Sequence, residues 1–345
     1  MNADCLSRVF RYLPFEEIYS ILFVCKQYNI VISCDFIWRD FFTNKFCKII
    51  IQNDYKLKYK QFNELDKFLR KHCKDPIHSE KCEHTSNYVY ALYRLDLPEN
   101  SIRLLPPGIG LLTNLRKLNL NDNKLNSLSI GIGSLTNLRK LNLHNNRLRS
   151  LPFEIGLLTN LRDLDLSNNK FRTLPQNINL LTCLIYLYLD KNEFQTLSPE
   201  IGLLFNLDEL QLSDNRLQSL PREMGLLTKL TSLHLGNNQL QTLSDEFGLL
   251  TKLTHLHLYN NQFRLFPKKI YLLTNLKYLS LTDNQMQSPL SVSHKNSKVP
   301  KNLGLLTKLK RLLLYNNQLQ SFAKIGLPIN LKYLSLGNNK FDSFP

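Results

Sequence analysis

Two clusters in the sequence collect residues of the type that binds a metal. The first is His72, Cys73, His78, Cys82 and His84, within the stretch HCKDPIHSEKCEH. Zinc takes four ligands arranged tetrahedrally, and these thiols and imidazoles are of the right kind. Their spacing matches no standard finger, so the stretch reads as a polar linker and no metal or cofactor is assigned to it. The second is His234, His255 and His257, which have no carboxylate beside them at matching positions of the sequence pattern; no metal is assigned there either. Catalysis makes stricter demands: a nucleophile beside a base, a glycine loop that cradles phosphate, or paired carboxylates in a pocket. The sequence offers none of these, so no catalytic residue is assigned and the chain is not expected to be an enzyme. It does offer a series of rings: Tyr186, Tyr188, His234, His255, His257, Tyr259, Tyr278, Tyr315 and Tyr333. Tyr and His provide large contact area with a polar handle at low entropic cost, which is the chemistry of recognition by surface.

These rings occupy matching positions in a repeat. Leu115 to Leu125 reads LRKLNLNDNKL, or L-x-x-L-x-L-x-x-N-x-L. Its asparagine recurs as Asn100, Asn123, Asn146, Asn169, Asn192, Asn215, Asn238, Asn261 and Asn284 at a constant interval of 23 residues, then as Asn317 and Asn339 after intervals of 33 and 22, giving eleven repeats. Leucines at positions one, four and six point inward with the alternation of a short strand. One such strand cannot bury its own apolar face, but stacked copies can, each arc returning the chain to start a parallel neighbour. The asparagine is expected to satisfy backbone groups of adjacent repeats. Positions three, five and seven face the concave side, and that is where the rings lie. Cross-strand stacking of equivalent positions is the alternative reading of the same rings. Segments such as SLPFEIGLLTN carry a Leu-Pro step that blocks helix at the preceding residue, so the outer arcs should be short 3₁₀ or irregular turns.

In repeat length and in the phrase LPxxIGxLTNL, the chain from about Leu92 to Pro345 resembles the Ras-group class of intracellular leucine-rich-repeat proteins. The resemblance implies an α/β solenoid, a leucine-rich-repeat horseshoe with a parallel concave sheet of about 11 strands, preceded by a small all-α domain. It also implies a protein target on the concave face. The stretch PLSVSHKNSK, Pro289 to Lys298, accounts for the excess of the 33-residue interval and reads as an insertion (289–298) bulging from the outer side or rim.

Upstream, Leu6, Val9, Phe10 and Leu13 share a helical face, Pro14 restarts the chain, and Ile18, Ile21, Leu22 and Cys25 continue with helical spacing. Tyr12-Leu13-Pro14, Val24-Cys25-Lys26 and Ile37-Trp38-Arg39 fall in an order that resembles an F-box. That resemblance implies contact with the Skp adaptor of a cullin ubiquitin ligase through Leu13, Pro14, Ile18, Val24 and Trp38. The sequence departs from the family in lacking its opening Leu-Pro-x-Glu and in carrying Tyr28 where the family has Trp. The same helices would also serve to cap the first repeat. A further helix is expected from Tyr55 to His72, with Tyr55, Tyr59, Phe62, Asp66 and Leu69 on one face. The expected organisation is 1–47 F-box-like, 48–90 helical linker and cap, and 91–345 repeats; the combination resembles repeat families expanded in giant DNA viruses.

The formal net charge is +16. Residues 1–90 hold 14 Lys plus Arg against 11 Asp plus Glu, and the remainder 30 against 17, so the repeats carry the excess. A basic solenoid that tracks nucleic acid or an acidic partner is therefore the alternative to a protein-binding scaffold acting as a substrate receptor. Most of these cations, however, occupy exposed positions two, three and ten, which favours a solvated face. No run of about 18 uncharged apolar residues occurs, so no membrane span is expected. Charged residues near the start argue against a signal peptide, and six of the seven cysteines precede the repeats with none after Cys183, so an intracellular site, cytoplasmic or nuclear, is expected. The sequence stops at Ser343-Phe344-Pro345 without a polar cap, an edge through which copies could self-associate.

Overall fold

The computed structural model describes residues 52–72, 92–287, 303–320 and 327–341. The F-box-like stretch, the cluster from Cys73 to His84, the insertion 289–298 and the terminal Ser343-Phe344-Pro345 lie outside the described residues. The chain divides into two compact units, one containing the helix described below with residues 106–114, the other containing residues 93–105 and the sequence from 115 onward.

The second unit is a solenoid built on eleven three-residue strands: β1 (Arg94–Asp96), β2 (Lys117–Asn119), β3 (Lys140–Asn142), β4 (Asp163–Asp165), β5 (Tyr186–Tyr188), β6 (Glu209–Gln211), β7 (Ser232–His234), β8 (His255–His257), β9 (Tyr278–Ser280), β10 (Arg311–Leu313) and β11 (Tyr333–Ser335). They form one parallel sheet in sequence order. Register is set by the repeat itself. Leu118 lies opposite Leu141, Leu141 opposite Leu164, and so on, so every repeat adds its leucine to the same row. Position-four and position-six leucines from β2 to β10 are at most 1% exposed. A slip of one residue would turn that whole row to solvent. Position eleven forms a second buried column, in which Phe171 and Phe194 stack with centroids 6.5 Å apart.

The repeated asparagine makes the bonds its position implied. Asn146 accepts from the Leu125 N–H (3.0 Å), and its amide nitrogen donates to the carbonyls of Leu120 (2.9 Å), Leu143 (3.1 Å) and His144 (3.2 Å). Two of those groups belong to the preceding repeat, so the side chain joins neighbours while filling the turn that leaves the strand. The residue before it has positive φ in every repeat, from Glu99 to Asn338. Asn or Asp stands there in nine cases and tolerates this left-handed conformation better than other non-glycine residues.

Outer arcs are 3₁₀ turns, both where a Leu-Pro step precedes them, as at Phe153–Leu157 and Arg222–Leu226, and where Leu-Ser stands instead, as at Ile130–Ser134, Pro199–Leu203 and Asp245–Leu249. The Ile-Gly step has a packing reason: a Cβ on Gly202 would sit 2.4 Å from the Glu223 carbonyl oxygen of the next turn. Of the Leu-Leu pair that follows, only the second is buried; Leu158 is covered and Leu157 is exposed.

In the first unit, α1 (Gln52–His72) begins three residues before the expected start. It buries Leu69, which the spacing placed on its apolar face, and also Leu65, which the spacing missed; Phe62 and Asp66 are half-buried. The helix packs closely on the 3₁₀ turn Pro107–Leu111, where a Cβ on Gly108 would lie 2.3 Å from the Gln61 carbonyl oxygen.

Candidate protein-binding face

Strand residues at positions three and five flank the buried leucine and turn to the open face, so the sheet displays two residues per strand in a fixed grid. The grid is chemically divided. Strands β2 and β3 show Lys117, Asn119, Lys140 and Asn142. On β4 to β6 come Asp163 and Asp165, Tyr186 and Tyr188, Glu209 and Gln211. From β7 to β9 the face carries His234, His255, His257 and Tyr278.

The last group is packed together. His234 and His257 stack with centroids 4.2 Å apart and planes 11° from parallel, and His257 continues onto Tyr278 at 4.5 Å. Tyr259 stands edge-on to His257 at 6.4 Å, and His255 lies 6.1 Å from Tyr278. The cross-strand stacking foreseen as an alternative is therefore present, and it presents a continuous aromatic plate across three strands. Face-to-face rings do not aim their nitrogens at a common point, and among the described residues no group of three His, Cys, Asp or Glu is placed to hold a metal ion. His234 Nε2 lies 3.0 Å from the Ser232 hydroxyl. His255 Nδ1 lies 2.9 Å from the Thr254 hydroxyl.

Burial, followed by the charges of His234 and His255, holds His257 down at a pKa of about 4. Burial lowers His234 as well, opposed by the nearby Glu209 carboxylate. Both rings are mostly neutral at pH 7. On the carboxylate side, burial and then Glu209, Asp163 and Asp165 push the Tyr188 phenol up to about 12. Asp190, at position seven beside β5, is raised by burial and by Asp165.

Position seven adds a feature that the series of rings does not reveal. Gly236 lies under the Tyr259 ring, where a Cβ would come 2.2 Å from Cζ. Gly337 lies beside Tyr315 in the same way, 3.1 Å from its Cδ2. The signal was present in the sequence as glycine in place of a polar residue one repeat from a tyrosine. Tyr315 and Tyr333 are exposed and stand apart from the plate, and Tyr186 is half-buried beside Tyr188. Nine expected ring positions thus resolve into one packed group on β7 to β9, a pair on β5 and two separate tyrosines near the last strands.

Comparison with known proteins agrees with this architecture. The leucine rich repeat family model matches residues 91–148 and 205–263, a leucine-rich repeat region model matches 129–213, and an F-box-like model matches 3–44. A leucine-rich-repeat protein of Leptospira interrogans is 37% identical over 75% of this chain and 70% of its own, with a TM-score of 0.64. The chain belongs to the leucine-rich-repeat family. The ectodomain of the plant membrane receptor kinase GASSHO1/SCHENGEN3 from Arabidopsis thaliana, solved in complex with Casparian strip integrity factor 2, is 31% identical over 72% of this chain and 30% of that one, with a TM-score of 0.59. The functional domain of InlJ from Listeria monocytogenes, at 21% identity over 75% of this chain and 56% of that one and a TM-score of 0.59, shares the fold. No curated protein matches the chain significantly. The repeats, with an F-box-like segment before them, make the chain a protein-interaction scaffold. No described helix is long and apolar enough to cross a membrane.

Proposed function

We propose that the chain is a substrate receptor of a ubiquitin ligase: the F-box-like segment engages a Skp-type adaptor through Leu13, Pro14, Ile18, Val24 and Trp38, and the concave sheet holds a protein target. The observation that carries the second half is the His234, His257 and Tyr278 plate, a stacked, half-buried aromatic surface with polar edges, whose rings offer a partner a large, partly desolvated contact. The first half is supported by the F-box-like match over residues 3–44. In this reading the protein works inside the cell and has no catalytic residue of its own.

Mixing the chain with a Skp adaptor tests the first half. A complex should survive size exclusion and should be lost in the Pro14→Ala, Trp38→Ala double variant; free elution of both proteins at micromolar concentration would leave only the scaffold. A nucleic-acid role is supported by the +16 charge. Against it, the middle of the concave sheet carries carboxylates, which repel phosphate. A nucleic-acid binder would lose affinity steeply with added salt, because released counterions drive such binding.

A further inference from the structure

In a chain of net charge +16, four carboxylates sit together on the concave side: Asp163, Asp165, Asp190 and Glu209, on or beside three successive strands. Among the described residues only Asp163 of these four is in an ion pair, with the Lys140 ammonium at 2.7 Å. Asp165, Asp190 and Glu209 form no ion pair among the described residues; Glu209 accepts from the Gln211 amide at 2.7 Å, and Asp165 from the Ser167 N–H at 2.9 Å. They are not arranged for a metal ion. Their neighbours are phenol rings, and Tyr188 and Asp190, raised first by burial, are raised further by the carboxylates beside them. Immediately beyond lies the aromatic plate, where burial holds the His234 and His257 imidazoles towards the neutral form, so that they repel an approaching cation little.

We propose that the concave face binds an extended basic segment of a partner protein, with Lys or Arg side chains on the carboxylates of β4 to β6 and an apolar or aromatic side chain on the His234, His257 and Tyr278 plate. This rests on the concave face being the binding site and adds the chemical class of its occupant. Spacing follows from the sheet. From β5 to β8 is three strand separations of about 4.8 Å, roughly 14 Å, which an extended chain at about 3.4 Å per residue covers in about four residues. The segment runs across the strands, its basic pair at one end and its ring about four residues away. Cations provide steering and register, and the plate provides the desolvated contact.

The test is selection of a random peptide display library on the immobilised full-length protein, in parallel with Asp165→Asn, Glu209→Gln and, separately, with His257→Ala. The carboxamides keep an acceptor for the Ser167 N–H and leave the buried leucines untouched; circular dichroism confirms each variant is folded. Enriched peptides should carry adjacent Lys or Arg with a ring or Leu about four residues away, should bind the carboxamide variant about tenfold more weakly, and should lose most of their salt dependence there. Acidic or uncharged enriched peptides, or basic peptides that bind the carboxamide variant equally well, overturn the basic-partner assignment; if their binding is still weakened by His257→Ala, the concave-face reading survives alone. Peptides insensitive to both variants overturn both readings. A single-stranded oligonucleotide that displaces the selected peptides at equal concentration also overturns the assignment, in favour of nucleic acid.

Discussion

Asn192 serves four backbone groups with one amide: it accepts from Phe171 N–H at 3.0 Å and donates to the carbonyls of Leu166, Leu189 and Asp190. Asn192→Ala leaves the Phe171 N–H and the Leu166 and Leu189 carbonyls without that partner, while the Asp190 carbonyl keeps the Asn168 N–H at 2.9 Å, and should lower stability by about 2–4 kcal/mol, since each orphaned group costs about 1–3 kcal/mol less whatever water recovers. A urea midpoint unchanged from the parent would remove the amide from the list of stabilising features. His257 gives a pH dependence. Its folded pKa of about 4 lies below the ordinary 6.5, so the unfolded chain binds that proton more readily. Stability is therefore fully present above about pH 6.5 and falls as pH drops towards about 4, with His234 contributing in the same direction. Thermal unfolding scanned across this window should show the decline, and His257→Gln should flatten it. For recognition, Tyr259→Ala with His257→Ala should weaken partner binding by about 2 kcal/mol or more. Lys117→Ala with Lys140→Ala should cost less than about 1 kcal/mol, because exposed ion pairs contribute little. The opposite order, measured by calorimetry with a captured partner, would move the contact to the basic repeats.

Each strand and arc is a small element with one packing rule, and glycines show where that rule is tightest. Gly202→Ala should be destabilising, by about 1–3 kcal/mol, because its new methyl would meet the backbone of the next 3₁₀ turn, which cannot swing aside. Gly236→Ala is different: the atom it meets belongs to the Tyr259 ring, so the ring should move while the strand stays. Binding should then fall with little change in unfolding temperature; an unchanged affinity would show that Tyr259 has no fixed role. Strands, register, arc type and the bonding of the repeated asparagine were all legible from the 23-residue interval, because one buried row and one turn repeat without compensation. What escaped was pairwise and three-dimensional. The Asn or Asp at position eight was visible at Asp122, Asn145 and Asn168, but its meaning is a backbone angle. Leu65 escaped because the apolar spacing on α1 runs through Phe62, Asp66 and Leu69, one position to its side. The histidines read as a recognition surface or as a cross-strand stack until ring planes were known, and the neutrality of His257 depends on burial that no spacing encodes.

At the scale of the whole solenoid, repeats touch only their neighbours, so stability is close to a sum of local terms and local openings are expected. The position-eight side chains add a rim of amide bonds that is not continuous. Asn145 and Asn168 hang in turn from Asp122, Asn237 and Asn260 from Asp214, and Asn316 and Asn338 from Asp283. Each run starts at an aspartate, which accepts but cannot donate to the repeat before it, and Lys191 stands between the first run and the second. No rim bond joins Asn168 to Lys191, Lys191 to Asp214, or Asn260 to Asp283 among the described residues. Amide hydrogen exchange should accordingly be faster at Lys191 and Asp283 than at Asn145 or Asn237, and equal protection at all four would show that the rim bonds carry no weight. Treated as a spring, the repeat array then has uneven stiffness: triplets that resist bending, joined at compliant seams. One seam, at Lys191, falls between β4 and β6, under the carboxylates. The other, between Asn260 and Asp283, falls between β8 and β9, within the aromatic plate. A partner that spans the carboxylates and the plate would thus lie across both seams, so that flexing there tunes the grip and mechanical load on a bound target is felt first at Lys191 and Asp283.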